Sequence, residues 1–243
     1  MQPIVIIPSR MGSTRLPGKP LAEIAGRPMV VHVWQRAMAA GIGPVAVAAA
    51  EPEIVAAVEA AGGRAVLVAE DLPSGTDRVE RALGLLDPEG RHDVVVNLQG
   101  DVPTLDPGLL RAVLRPLSDP AVDVATLVCP VRDAAEAGAE SVVKCACAFP
   151  EGAEVAPALY FSRTAIPWGP GPLWHHIGVY AYRRPALARF VALPPSPLER
   201  REKLEQLRAL EAGMRIAVAK VAAGPFGVDT PADLARARVL LGG

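Results

Sequence analysis

Ile4-Val5-Ile6-Ile7-Pro8-Ser9-Arg10-Met11-Gly12-Ser13-Thr14-Arg15-Leu16-Pro17-Gly18-Lys19-Pro20-Leu21 sets the reading of the whole chain. Its β-branched run predicts a buried first strand. The strand empties into a loop carrying Arg10, Arg15 and Lys19 beside Gly12, Ser13, Thr14 and Gly18. Such a loop suits a polyphosphate, because glycine lets amides approach the anion while the cations offset its charge. At ~4 Å and an effective dielectric of ~20, each cation contributes on the order of 4 kcal/mol of attraction before desolvation. A solvated surface loop punctuated by Pro and Gly has the same composition, and the loop alone fits both readings. It is not a Walker A motif: five residues separate Gly12 from Gly18, and Pro20, which cannot continue a helix, follows Lys19.

Outward from the loop, the rhythm is strand and helix in alternation. Pro28 opens a predicted helix over 29–40 that Gly41 ends; 45–49 reads as a strand, 52–61 as a helix closed by Gly62-Gly63, and 65–69 as a third strand. Strands apolar throughout, alternating with amphipathic helices, predict a mostly parallel sheet covered on both faces, a three-layer α/β fold. Ser74 or Thr76 is a natural N-cap for the next helix. The strand over 93–98 ends in Gln99-Gly100-Asp101, which puts a carboxylate where open α/β sheets bind ligands. Asp101 is either a Mg²⁺ ligand or a turn residue after Gly100.

Further on, Asp106-Pro107 starts a helix expected to reach Leu117, 124–131 is a strand, and 142–149 another, with Lys144 read as a sheet-edge charge rather than a catalytic base. The rhythm then breaks. The chain reads as one domain over 1–243, with an α/β core of 1–131 and 214–243 and a smaller mixed lobe of 132–213. Within that lobe Ser196-Pro197-Leu198-Glu199 forms a capping box for a helix to about Ala212, with Leu204 and Leu207 facing inward. His176 and Tyr180, four apart on a strand, share one face, as packing residues or as a pocket wall. Thr230-Pro231 caps a terminal helix and leaves Asp229 outside it.

Composition narrows the partners. With 25 Lys+Arg against 26 Asp+Glu and 4% aromatic residues, nothing supports a nucleic-acid or membrane-surface partner. Cys129, Cys145 and Cys147 lack CxxC spacing and read as reduced core thiols. No leader pattern and no apolar run long enough for a bilayer are present, so a soluble, cytoplasmic protein is expected. With 51% apolar residues, 243 residues can bury ~70–75% of the unfolded surface.

The loop from Pro8 to Leu21 resembles the nucleotide-binding loop of the 3-deoxy-manno-octulosonate (Kdo) cytidylyltransferases. Further family-like segments follow in order: Ser74-Gly75-Thr76-Asp77-Arg78, Gln99-Gly100-Asp101, Tyr160-Phe161-Ser162-Arg163 with Ile166-Pro167-Trp168, His176-Ile177-Gly178-Val179-Tyr180, Leu204-Glu205-Gln206-Leu207-Arg208 and Asp229. The resemblance implies a Rossmann-like nucleotidyltransferase that moves CMP from CTP to Kdo for lipopolysaccharide synthesis, releasing pyrophosphate. It implies that Arg10 and Lys19, with Arg15 nearby, hold the triphosphate; that Ser74, Gly75 and Gln99 serve the nucleotide; and that Asp101 and Asp229 share Mg²⁺. Arg10, Lys19 and Asp101 would carry catalysis. Arg163, His176, Tyr180, Glu205 and Gln206 would line the acceptor side of a lobe that also forms a homodimer. The chain departs from the family pattern at Val102, where the family has Glu, and at Ala48-Ala49-Ala50-Glu51, where Ala-Thr-Asp-Asp is common. The missing aspartate is a lost helix cap or a lost ligand near the nucleotide. The connection from Trp168 to His175 is also short. These departures leave a related acceptor (8-amino-Kdo or a sialic acid) and a non-catalytic nucleotide binder as alternatives.

Overall fold

The strand Pro3–Ser9 (β1) is buried along its length except at Pro8, as its uninterrupted apolar run requires. In the structure, a computed structural model, the described residues are 1–13 and 15–242; Thr14 of the loop motif and Gly243 lie outside them. After the loop come a 3₁₀ turn, Lys19–Leu21, and a small hairpin of Glu23–Ile24 (β2) and Arg27–Pro28 (β3). Then follow Met29–Ala39 (α1), Val45–Ala49 (β4), Pro52–Ala60 (α2), Arg64–Leu67 (β5), Gly75–Leu86 (α3) and Val94–Leu98 (β6). Gly41 takes φ 65°, the left-handed backbone that glycine adopts without strain just past α1.

Two compact units emerge: Met1–Leu110 together with the chain from Pro225 onward, and Arg111–Gly224. In the first, the order is β5-β4-β1-β6 with parallel pairing throughout, in register Val5↔Val45 on one side of β1 and Val5↔Val96 on the other. Both β4 and β6 are buried at every position, which suits a sheet covered on both faces. Each fully buried Ile or Val contributes roughly 1.5–3 kcal/mol. The α/β fold expected from the sequence is the fold that forms.

The helix Pro107–Ala112 (α4), with Asp106 accepting from Gly108 N–H at 2.7 Å, stops well short of Leu117. A separate 3₁₀ turn, Arg115–Ser118, replaces its last part, because Pro116 removes an amide donor and disfavours helix at the residue before it. The second unit continues with Val124–Pro130 (β7), Ala134–Gly138 (α5), Lys144–Ala146 (β8), Val155–Pro157 (β9), Tyr160–Ser162 (β10), Trp174–Arg183 (β11), Arg184–Ala192 (α6), Pro197–Glu202 (α7), Leu207–Glu211 (α8) and Ile216–Lys220 (β12). Here pairing is mixed: β12 runs parallel to β7, whereas β11–β7, β11–β8, β10–β8 and β12–β9 are antiparallel. By contacts this unit extends beyond 132–213 at both ends, taking in β7 and β12.

Two expectations in this unit are corrected. Lys144 is not a sheet-edge charge: its side chain is wholly buried, and its ammonium donates to the carbonyls of Ala139, Val142 and Arg163 at 2.7–2.8 Å. The helix after Ser196 does not run to Ala212. It starts as expected, with Glu199 accepting from Ser196 N–H at 2.9 Å, but breaks at Lys203, which takes φ 55°. Tertiary contacts outweigh helix propensity there: Arg163 takes the carbonyls of Glu202 and Lys203.

The chain closes with Pro231–Gly242 (α9), back in the first unit. Thr230 and Asp233 cap it reciprocally, Asp233 N–H donating to Thr230 Oγ1 at 3.2 Å and Thr230 N–H to Asp233 at 2.9 Å. Leu234 and Ala237 pack with Val228 against Ile24 and Met29. That small core anchors the segment holding Asp229.

Candidate active site

At the carboxyl ends of β1 and β6 the first unit opens a cavity of about 360 Å³. Arg10, Arg15, Lys19, Ser74, Gly75, Gln99 and Asp101 all line it. The position follows from the parallel sheet, whose strands deliver their following loops to one edge. Gly100 lets two of these loops meet, since a Cβ there would stand 3.0 Å from the Pro8 carbonyl oxygen.

Lys19 is the centre of charge. Its ammonium lies 2.9 Å from Asp101 Oδ2 and 3.1 Å from Asp229 Oδ1, and Arg15 reaches the same Asp229 oxygen at 3.3 Å. Burial alone would lower the Lys19 pKa; Asp101 and then Asp229 outweigh it by charge and hydrogen bonding, and the pKa is raised. Asp229 does not line the cavity, but Val228 N–H donates to the Asp101 carbonyl at 2.8 Å and ties the two acidic segments together. Two carboxylate oxygens from distant segments therefore meet one ammonium. Val102, the departure from the family pattern next to Asp101, is buried.

Ser74 serves its helix. Its hydroxyl accepts from Thr76 N–H at 3.1 Å and Asp77 N–H at 3.3 Å and donates to Asp77 at 2.7 Å, so the capping reading holds while the residue also borders the cavity. Sequence reasoning missed Arg78 as part of the wall. One turn beyond Ser74, it is buried and donates to the Glu70 carbonyl at 3.3 Å and to that of Val68. Its spacing from Ser74 on α3 was the available signal. Ser9 was missed as well: its buried hydroxyl has no hydrogen-bond partner among the described residues.

Residues 4–216 match the Cytidylyltransferase family. A 3-deoxy-manno-octulosonate cytidylyltransferase of Parvibaculum lavamentivorans is 62% identical, the match covering 98% of this chain and 92% of that protein. One from Methylobacterium nodulans is 60% identical over 98% and 96%. The chain belongs to the 3-deoxy-manno-octulosonate cytidylyltransferase family. Among solved structures, CMP:2-keto-3-deoxy-manno-octonic acid synthetase complexed with CTP is 41% identical, with a TM-score of 0.89 over 99% of this chain and 98% of that one. A cytidylyltransferase from Leptospira borgpetersenii, 14% identical with a TM-score of 0.61, shares the fold.

The residues expected on the acceptor side, Arg163, His176, Tyr180, Glu205 and Gln206, all fall in the second unit. His176 and Tyr180 do share a face, their ring centroids 5.5 Å apart, and the Phe161 centroid lies 4.9 Å from that of His176. His176 is buried with Nε2 3.1 Å from Thr126 Oγ1, and burial drops its pKa to about 3. Burial, then Tyr182 and Glu205, push Tyr180 well up. Glu205 and Gln206 lie in the break between α7 and α8 and not on a helix. Gln206 is buried, and its Nε2 has no partner among the described residues, so a solvated position is excluded. Arg163 turns away from the open fork expected of a carboxylate ligand: Nε donates to the Glu202 carbonyl at 2.8 Å, Nη1 to that of Glu140 at 3.0 Å and Nη2 to that of Lys203 at 3.2 Å.

Proposed function

We propose that the chain transfers CMP from CTP to the anomeric hydroxyl of Kdo, giving CMP-Kdo and pyrophosphate, with Mg²⁺ as cofactor. One observation carries the reading: the cavity at the end of β1 gathers Arg10, Arg15, Lys19 and Asp101, with Arg78 in its wall, in a fold shared, at 41% identity, with a synthetase solved with CTP. The oxygen of the sugar hydroxyl bonds to the α-phosphorus, its proton passes to solvent, and the bond from the α-phosphorus to the α,β-bridging oxygen breaks to release pyrophosphate. Positioning and charge stabilisation suffice for such an in-line transfer, and no protein nucleophile enters.

The side chains divide this work. Arg10 and Arg15, exposed on the loop, meet the triphosphate and offset the charge of the departing pyrophosphate. Gly75 and Gln99 border the base and sugar end. Asp101 and Asp229 fit Mg²⁺, which takes hard oxygen donors from one or two carboxylates together with substrate phosphates. When bound, the metal supplies neutralisation of phosphate charge and Lewis acidity. Lys19 balances the two acids and would turn to phosphate as they engage the metal. The acceptor falls to Tyr180, Glu205 and Gln206; the buried Nε2 of Gln206, without a partner among the described residues, is a donor for a hydroxyl or carboxylate. No helix of the described residues is long and apolar enough to cross a membrane. We assign the chain, as our own reading, to the cytoplasm and to a homodimer.

The test is pyrophosphate release from CTP with Mg²⁺ and, in parallel, Kdo, 8-amino-Kdo or sialic acid. Fastest release with Kdo, abolished by a chelator, supports the proposal. Preference for another sugar acid overturns the acceptor, and CTP uptake without release under any condition overturns the activity.

A further inference from the structure

The nucleotide loop has an anchor outside its own sequence. Both carboxylate oxygens of Glu51 accept from Met11 N–H, each at 3.1 Å. Met11 is the hub of the loop: its carbonyl accepts from Ser13 N–H at 2.8 Å on one limb and Gly18 N–H at 3.4 Å on the other, and its methyl lies 3.7 Å from where a Gly18 Cβ would stand. Fixing that amide fixes both ends of the segment that presents Arg10, Arg15 and Lys19.

Glu51 reaches Met11 because of where the sheet stops. The β1–β4 ladder ends at Ser9↔Ala49, and Ala50 N–H donates to the Ser9 carbonyl at 2.9 Å as the last backbone link. Beyond it the chain turns into α2 at Pro52, and the Glu51 side chain takes over the partner role. Glu51 is the N-cap residue of α2, yet its side chain makes no capping hydrogen bond there. A capping role would have aimed the carboxylate at its own helix. A negative group beneath a loop that meets polyphosphate is unfavourable by charge, so what it gives back must be geometric.

We infer that Glu51 is a positioning residue for nucleotide binding: it sets the loop through Met11 and touches no substrate. It occupies the segment where the family commonly carries Ala-Thr-Asp-Asp, so the chain keeps an acid there with a different reach. The inference rests on the cytidylyl reading only for the identity of the nucleotide.

The full-length chain with Glu51→Ala or Glu51→Gln tests it. In Glu51→Ala the KM for CTP and the calorimetric Kd for CTP rise about tenfold, while the KM for Kdo stays unchanged. Glu51→Gln, which keeps an acceptor oxygen but no charge, stays within about threefold of the wild type. Amide exchange at Met11 accelerates in Glu51→Ala and not in Glu51→Gln, a readout independent of any nucleotide. Unchanged Met11 exchange in Glu51→Ala overturns the anchoring, and so does a Glu51→Gln variant as impaired as Glu51→Ala. Wild-type chain that takes up no CTP breaks the cytidylyl reading instead, leaving the exchange result to decide the anchor.

Discussion

Lys19 in the first unit and Lys144 in the second are both largely withdrawn from water, yet their partners differ. Lys19 keeps 15% of its side chain exposed and lies between two carboxylates; Lys144 has no exposure and is held by three main-chain carbonyls. Their pKa values move in opposite directions. The acids raise that of Lys19 against the pull of burial, whereas burial lowers that of Lys144 with only Glu140 opposing it. An ammonium between carboxylates can exchange with another cation, which suits a reacting site. One bound to carbonyls joins segments, since its removal leaves backbone acceptors unpaired inside the protein. The same residue type meets side-chain acids in one unit and main-chain carbonyls in the other.

Breaking the first half of that contrast carries the largest expected effect. Asp101→Asn keeps an acceptor for Lys19 but not the charge, so pyrophosphate release falls on the order of 10²–10³-fold while the melting temperature barely moves. A fully active Asp101→Asn enzyme would remove the metal assignment. Next comes Lys144→Met, expected to lower unfolding free energy in urea by about 3 kcal/mol with calorimetric CTP affinity unchanged. An unaltered urea midpoint would return Lys144 to the surface role first read from the sequence.

Alkaline titration sharpens the same comparison. The folded pKa of Lys19 lies above the ordinary 10.5, so its contribution to stability is complete below 10.5 and is lost as pH climbs through the raised value. For Lys144 the folded value lies below 10.5; stability therefore rises with pH between that value and 10.5. Subtracting each Lys→Met variant from the wild type should give curves of opposite slope. His176 supplies the acid counterpart. Its pKa falls from 6.5 to about 3, so between those values the unfolded chain alone holds the proton, and stability drops by about 1.4 kcal/mol per pH unit as pH falls. His176→Phe should flatten that difference between pH 6.5 and 3, and an unchanged slope would place the imidazole in contact with water.

The smallest effect is expected at Arg15, whose side chain is 67% exposed against Asp229. Arg15→Ala should cost less than about 0.5 kcal/mol of stability while the KM for CTP rises a few-fold. A larger stability loss would make the loop's outer pair structural.

Local pattern made the first unit readable. The limits of β4 and the starts of α1 and α2 follow from apolar runs, from Pro28 at the N-cap of α1 and Pro52 in the first turn of α2, and from Gly past the last turn. The second unit resisted the same reading, because its helices break at Pro116 and Lys203 and its pairings are mixed. At Lys203 no residue-level signal exists, since the contacts that hold the break come from Arg163, 40 positions away.

By itself the sequence determined which segments become strands and helices and which loop carries the cations, since period and turn chemistry act over a few neighbours. Only tertiary structure decided that Lys19 meets Asp101 and Asp229, 82 and 210 positions distant, that Arg163 serves carbonyls, and that Lys144 lies inside. Those outcomes belong to packing, which brings groups remote along the chain within hydrogen-bond distance, a proximity that no local pattern encodes.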